Sequence, residues 1–383
     1  MPTPVFYGLA IASVGGPLAL ITIFLPNTLA DVSSSAGLLV LLGALAFVFP
    51  TAVWYRFARS VASSGGLYSF VEHAAGTTVA RLHGAIWVVS YFLYLPSTVV
   101  FVLYDVLPAA FPGVAPYRAA LNIAVPAAMV VGLVLWRSSL FTLTAGLAFA
   151  QVVLVGVLAG SEISHAGNRL HLLTLHASAG TAWSSVGSVS LLFVCSSLPL
   201  YLGAEVRHAT KVTSRALPLA VGAGAVCAIA GVVALARFSP SVLAEEVPGW
   251  DIATSVGGHA LGDAVVLGTA ASVLTLVLLE YVAITRLLPV MVGVGPRSAE
   301  IGVGAVFIGA SAISLANPQA AYEKLVNPSL MALYLSEVIV FLVYPLWRRR
   351  RGKLRAPDIV LTVAASALML YGLYNALKPS TGL

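Results

Sequence analysis

The chain has 383 residues, of which 59% are hydrophobic and only 9% charged, with a mean hydropathy of +0.97. An average soluble domain carries roughly 25% charged residues, so a fully water-facing surface is excluded and most of this surface must face lipid. The formal charge of +6 comes from 20 bases against 14 acids, and their placement at the ends of apolar runs points to membrane topology, not to nucleic acid.

A crossing helix needs about 20 apolar residues. Eleven runs come close to that length or exceed it: 6–26, 36–57, 79–104, 117–136, 138–160, 184–206, 216–237, 261–290, 301–316, 324–347 and 357–377. They predict an all-α, polytopic membrane protein with about 11 transmembrane helices in a single domain over 1–383. The run 301–316 is the shortest and is rich in glycine and alanine. No basic n-region or small-residue cleavage site precedes Phe6, so the first run reads as a mature span and not as a signal peptide.

With the N-terminus inside, fifteen of the 20 bases fall on the cytoplasmic side, among them Arg56, Arg59, Arg137, Lys211, Arg215, Arg286 and the run from Arg348 to Arg355. The outer side keeps Arg118, Arg169, Arg237, Lys324 and Lys378, with an acidic loop at Glu245, Glu246 and Asp251. This asymmetry predicts a multi-pass protein of the cell membrane with a cytoplasmic N-terminus and an external C-terminus. The arginine run reads as an anchor beside anionic lipid.

Two runs are broken in the middle. The first is interrupted by Ser13-Val14-Gly15-Gly16-Pro17 and the sixth by Cys195-Ser196-Ser197-Leu198-Pro199. Glycine weakens a helix, and proline removes a donor and clashes with the preceding turn. In hydrocarbon an unpaired backbone group costs several kcal/mol, so such breaks persist only where protein or a water-filled cavity covers them. Paired breaks in matching halves point to a transporter's substrate site, and an odd number of spans per half makes the repeats inverted. The repeats are expected at about 6–160 and 184–347, with an extra helix at about 357–377.

The segment Glu205-Val206-Arg207-His208-Ala209-Thr210-Lys211-Val212-Thr213-Ser214-Arg215-Ala216-Leu217 resembles the stretch after the sixth helix of amino acid–polyamine–organocation permeases, typically E-V-(K/R)-N-P-x-(K/R)-x-I-P-(K/R)-A-I. Arg59 to Val71, with Ser64-Gly65-Gly66-Leu67-Tyr68, is similar to that family's loop between helices two and three. Ala12 to Pro17 occupies the place of its G-x-G stretch. Phe193 matches an aromatic of its sixth helix, where Cys195 replaces a glycine. The resemblance implies a five-plus-five inverted repeat of the LeuT-like kind, with helices one and six broken, and a permease for amino acids. Departures are the lack of the family's helix-five lysine, where Gln151 is the strong polar group, a shortened loop at Met291–Arg297, and no twelfth helix.

Two adjacent breaks can receive a zwitterion without charged side chains. Half-helix N-termini suit a carboxylate, and free carbonyls suit an ammonium or sodium ion. The amides of Gly15 and Gly16, beside Val14, are expected to hold the carboxylate, and bulk at Gly16 to block it. Carbonyls near Ser13, Cys195 and Ser196, with Ser197 alongside, are expected to take the amino group; the alternative is a helix kink with serines bonded back to the previous turn. Tyr94, on one face with Tyr91 and Thr98, offers a site wall or an interfacial anchor. Thr269, Ser272 and Glu280 share an arc of the eighth run, where the family places hydroxyl ligands of a sodium-like site against helix one. Glu280 is then a proton carrier, a cation ligand, the partner of a basic substrate group, or a neutral carboxyl bonded to a neighbour. Glu337, between Tyr334 and Tyr344, carries the same alternatives.

His165, His171 and His176 lack an acid or cysteine to complete a metal site, so no metal and no cofactor are expected. No phosphate-binding or nucleophile motif occurs, and no histidine reads as sitting well inside a span, which argues against an enzyme built on Cys195 or Ser196. The expectation is a secondary active amino acid transporter working by alternating access, coupled to protons. The alternatives are an amino acid–polyamine exchanger or a sodium-coupled permease. Its partners are a small amino acid or amine, protons or sodium ions, and the lipid bilayer.

Overall fold

A computed structural model describes residues 1–166, 174–235 and 237–377, so Arg169, His171 and Lys378 lie outside the described residues. No strand occurs among them. Eight helical stretches are long and apolar enough to cross a membrane. Two of them, Thr3–Ala58 and Pro112–His165, hold 56 and 54 residues, more than twice what one crossing needs. Each departs from helical geometry midway, at Val32 and at Trp136. The second is a hairpin: the Leu140 side chain lies 3.4 Å from where a Cβ on Gly132 would sit, whereas eight residues of straight helix span ~12 Å.

The remaining stretches are Thr77–Ala110, Ala179–Glu205, Ala209–Val233, Pro248–Val292, Pro318–Arg350 and Ala356–Leu377. The glycine-rich Pro296–Ser314 is a 19-residue helix outside the eight. We number the spans in chain order as the sequence runs do, so that the third begins at Thr77, the sixth at Ala179, the eighth within Pro248–Val292 and the tenth at Pro318. Proline at the first helical turn starts several of these elements, where its missing N–H costs nothing. The eighth span is preceded by a short helix, separated from it at Gly258.

Burial orders the spans. The third, sixth and eighth are 72%, 72% and 78% buried over their apolar windows, against 33% for the fourth–fifth hairpin and 28% for the eleventh. The first group therefore forms the centre, and the others present apolar side chains such as Leu143, Val153 and Val363 outward, as a lipid-facing rim would.

The structure corrects the sequence reading in four places. The loop expected after Arg59 contains a buried helix, Gly66–Ala75. Arg286, counted above as a loop base, lies inside Pro248–Val292 and is 6% exposed. His83, six residues into the third span, is fully buried with neither ring nitrogen partnered among the described residues, although no histidine was expected well inside a span. The sixth-span break begins at Leu192-Phe193, earlier than Cys195, and a twelve-residue 3-10 helix, Val194–Glu205, follows it. Just beyond, His208 adopts φ +54°, a left-handed conformation at the position where the resembled family has Asn, which tolerates it better.

Candidate functional site

The first span consists of Thr3–Ala12, the break at 13–16, and a second half beginning at Pro17 and passing through a π-helical turn, Leu20–Phe24. Gly15 and Gly16 have φ of +69° and +71°, conformations that a side chain makes costly. The two breaks meet: the Leu192 carbonyl lies 3.9 Å from a Cβ built on Gly15, and Val14 and Phe193 both pack against Gly224 of the seventh span.

The two glycines differ in what they offer. The Gly16 amide donates to the Ala12 carbonyl at 3.1 Å, whereas the Gly15 amide has no acceptor among the described residues. The Leu18 and Ala19 amides donate to Ser272 Oγ, at 3.2 and 3.3 Å. Ser272 therefore caps the second half-helix across the interface, as an N-cap residue does within one chain segment. Its own proton goes to Gln151 Oε1 at 2.6 Å. Both acceptor lone pairs and the donor are thus engaged, leaving none for a cation in this conformation. One turn away, Thr22 and Thr269 share a hydrogen bond of 2.9 Å. Thr269, Ser272 and Gln151 come together against the first span, but as helix-packing contacts.

Gly16 sets a test of this geometry. A Cβ there would lie 2.6 Å from Ser272 Oγ and 2.8 Å from the Ser272 carbonyl oxygen, while one at Gly15 has nothing nearer than 3.9 Å. Bulk at Gly16 therefore collides with the eighth span. Gly15→Ala should cost only the ~1–2 kcal/mol of left-handed backbone, and Gly16→Ala a further ~1–3 kcal/mol of overpacking. Thermal melting of the two purified variants checks the order, and equal melting temperatures would contradict it.

Ser13 Oγ is bonded back to the Ala10 carbonyl at 2.7 Å, the kink geometry weighed above. Around the second break, the Tyr91 hydroxyl points at Cys195 Sγ, 4.0 Å away. Glu280 is fully buried with neither carboxyl oxygen partnered, and Ser196 Oγ is likewise unpartnered. Glu280 lies about 12 Å along the eighth span from Ser272, in a helix that packs against the third and sixth spans. The geometry thus splits the eighth-span arc: Thr269 and Ser272 serve the first span, and Glu280 faces the third and sixth.

Glu337 is the residue that sequence reasoning undervalued. It accepts from Trp54 Nε1 at 3.2 Å and from Ser197 Oγ at 3.4 Å, tying the tenth span to the second and to the broken sixth. Ser197 is therefore turned toward this scaffold contact. The signal available beforehand was a carboxyl in an apolar run. Another cluster lies at the other end of the eighth span, where Arg286 donates to Glu205 at 2.5 Å and to Glu300 at 2.8 Å. Arg137 also bonds Glu300, and the Met1 ammonium donates to the Glu205 carbonyl at 2.6 Å. These bonds join the ends of the sixth, eighth and ninth spans to the N-terminus.

No model of a protein family matches the sequence, and no curated protein matches it. Solved structures do. MhsT in complex with L-phenylalanine superposes with a TM-score of 0.64 at 16% identity, covering 97% of this chain and 98% of that one. The Eremococcus coleocola manganese transporter, in complex with an aromatic bis-isothiourea substituted compound, superposes with a TM-score of 0.63 at 11% identity, covering 99% and 89%. At such identities the likeness establishes the fold, which is the LeuT-like one with interrupted first and sixth helices.

Proposed function

We propose that the chain is a secondary transporter of the amino acid–polyamine–organocation type, moving an amino acid or related amine across the cell membrane by alternating access. The observation that carries this reading is the meeting of the two breaks beside unpartnered polar groups. The Gly15 amide, Ser196 Oγ and the Glu280 carboxyl lack partners although buried polar groups are normally satisfied, which is what a site awaiting a polar ligand requires. The Gly15 amide suits a carboxylate, and Cys195, Tyr91, Tyr94 and Phe193 supply a partly apolar wall for a side chain. The repeats at about 6–160 and 184–347 would supply the rocking halves, with the N-terminus and the Arg286 cluster on the cytoplasmic side.

A second reading, an exchanger of a cationic amine, is favoured by the unpartnered Glu280 carboxyl, which would balance a second ammonium group. A thermal-shift screen of detergent-purified protein against amino acids and polyamines tests both. A ligand at 100 times its Kd stabilises the folded state by about 2.7 kcal/mol. An amino acid that raises the melting temperature supports the first reading, and a response to diamines alone supports the second. No response to either class, from protein that melts cooperatively, would overturn both.

A further inference from the structure

Four of the cations at the cytoplasmic end of the molecule are neutralised within the protein. Arg56 and Arg348 pair with Asp358, and Arg137 and Arg286 with Glu300. One concave place gathers cations that have no such partner. A cavity of about 390 Å³ between the second and seventh spans is lined by Tyr55, Arg59, Thr210, Lys211, Ser214 and Arg215. Among the described residues none of its three cations meets a carboxylate.

The arrangement works against itself unless an anion sits there. Lys211 and Arg215 lie four residues apart on one helix, where like charges repel. They also occupy the first two turns of Ala209–Leu235, the positive end of a helix dipole that disfavours cations. Arg59 faces them from the end of the second span, its guanidinium 5.9 Å from the Tyr55 ring centroid. Three charges and the hydroxyls of Tyr55 and Thr210 thus converge on one concave space.

The walls of the cavity continue as apolar stripes. At 100° per residue, Lys211, Arg215, Leu219, Gly222 and Val226 fall within one arc of about 80°. Leu219 and Val226 are exposed, the latter by 68%, and nothing lies near Gly222 where a side chain would project. On the second span, Arg59 and Tyr55 share an arc with the exposed Val48, Leu45 and Leu41. The polar cavity therefore opens onto a lipid-facing apolar groove between two packed helices.

We infer that this cleft binds an anionic phospholipid, its phosphate held by Arg59, Lys211 and Arg215 and its acyl chains lying along the stripes of the second and seventh spans. Basic pockets between membrane helices on the cytoplasmic side hold such headgroups elsewhere. A soluble phosphate would satisfy the cations but leave the groove unused.

The test is native mass spectrometry of the full purified chain in neutral detergent, titrated with phosphatidylglycerol. The double variant Lys211→Gln, Arg215→Gln removes two surface charges and should raise Kd about thirtyfold. Arg59→Gln, on the opposite wall, should raise it about fivefold, and serves if the double variant does not fold. The control Arg349→Gln, Arg350→Gln, in the exposed basic run, should leave Kd unchanged. Four outcomes would overturn the proposal: retained affinity in the cleft variants, equal loss in the control, equal affinity for phosphatidylcholine, or displacement of the lipid by millimolar inorganic phosphate.

Discussion

Glu280→Gln is expected to keep substrate counterflow near the wild-type rate while losing uphill uptake driven by a pH gradient. Both Glu280 oxygens are buried without a partner, so an ionised carboxylate there would be an uncompensated charge in the membrane, costing several kcal/mol. A proton removes that cost, and the nearby Tyr91, Tyr94 and Cys195 supply no cation to replace it. In the proposed carrier cycle, protonation from outside would permit closure around substrate and proton release to the cytoplasm would reset the site. Glutamine copies the protonated form in shape and charge but cannot release a proton, which separates exchange from net uptake. The measurement is uptake into proteoliposomes with and without an imposed pH gradient, beside counterflow. Concentrative uptake by the Gln variant would remove Glu280 as the carrier. Sodium-dependent, gradient-insensitive uptake by the wild type would return Thr269 and Ser272 to candidacy as cation ligands in another conformation.

Arg286→Ala is expected to lower stability by about 3–5 kcal/mol, the usual consequence of removing one partner from a buried ion pair. Arg286 is 6% exposed, and it is the cation that joins Glu205 at the end of the sixth span to Glu300 at the start of the ninth. Exposed ion pairs contribute only about 0–1 kcal/mol, so Arg349→Ala, in the surface run, should melt close to wild type. The loss at Arg286 should also be directional. With the sixth-span end released, this end should open more readily, and a thiol reagent applied from its side of the membrane should reach Cys195 faster. Unchanged melting and unchanged labelling would show that this cluster neither holds the fold nor closes that end.

The broken spans are legible in the sequence because their residues conflict with a straight apolar helix. Gly15, Gly16 and Pro17 cannot be explained as lipid-facing filler, and neither can the Ser-Ser-Leu-Pro run after Cys195. The exact course of the sixth span is not legible. Pro199 marks the disturbed region, but the α-helix already ends at Leu191, where Phe193 packs by Gly224 and the first span, contacts that no local pattern reports.

The arc through Thr269, Ser272 and Glu280 is visible from helical period, yet period alone does not say which neighbour each residue meets. Ser272 is spent on the Leu18 and Ala19 amides because the second half-helix of span one begins there. That assignment needs the relative rotation of two helices. Glu337 and Arg286 escape for the same reason: a carboxyl in an apolar run and a base near a span end read as generic features until Ser197, Trp54, Glu205 and Glu300 are placed beside them.

The central claim, that substrate lies between the two breaks, is tested most directly by the two native cysteines. Cys195 is partly accessible at the second break, and Cys227 is 2% exposed within the core of the seventh span. In proteoliposomes, a small thiol reagent should modify Cys195 and spare Cys227, and a ligand identified by thermal shift should slow the modification of Cys195 in proportion to occupancy. Equal labelling of both cysteines, unaffected by a ligand that demonstrably binds, would place the substrate elsewhere and contradict the account.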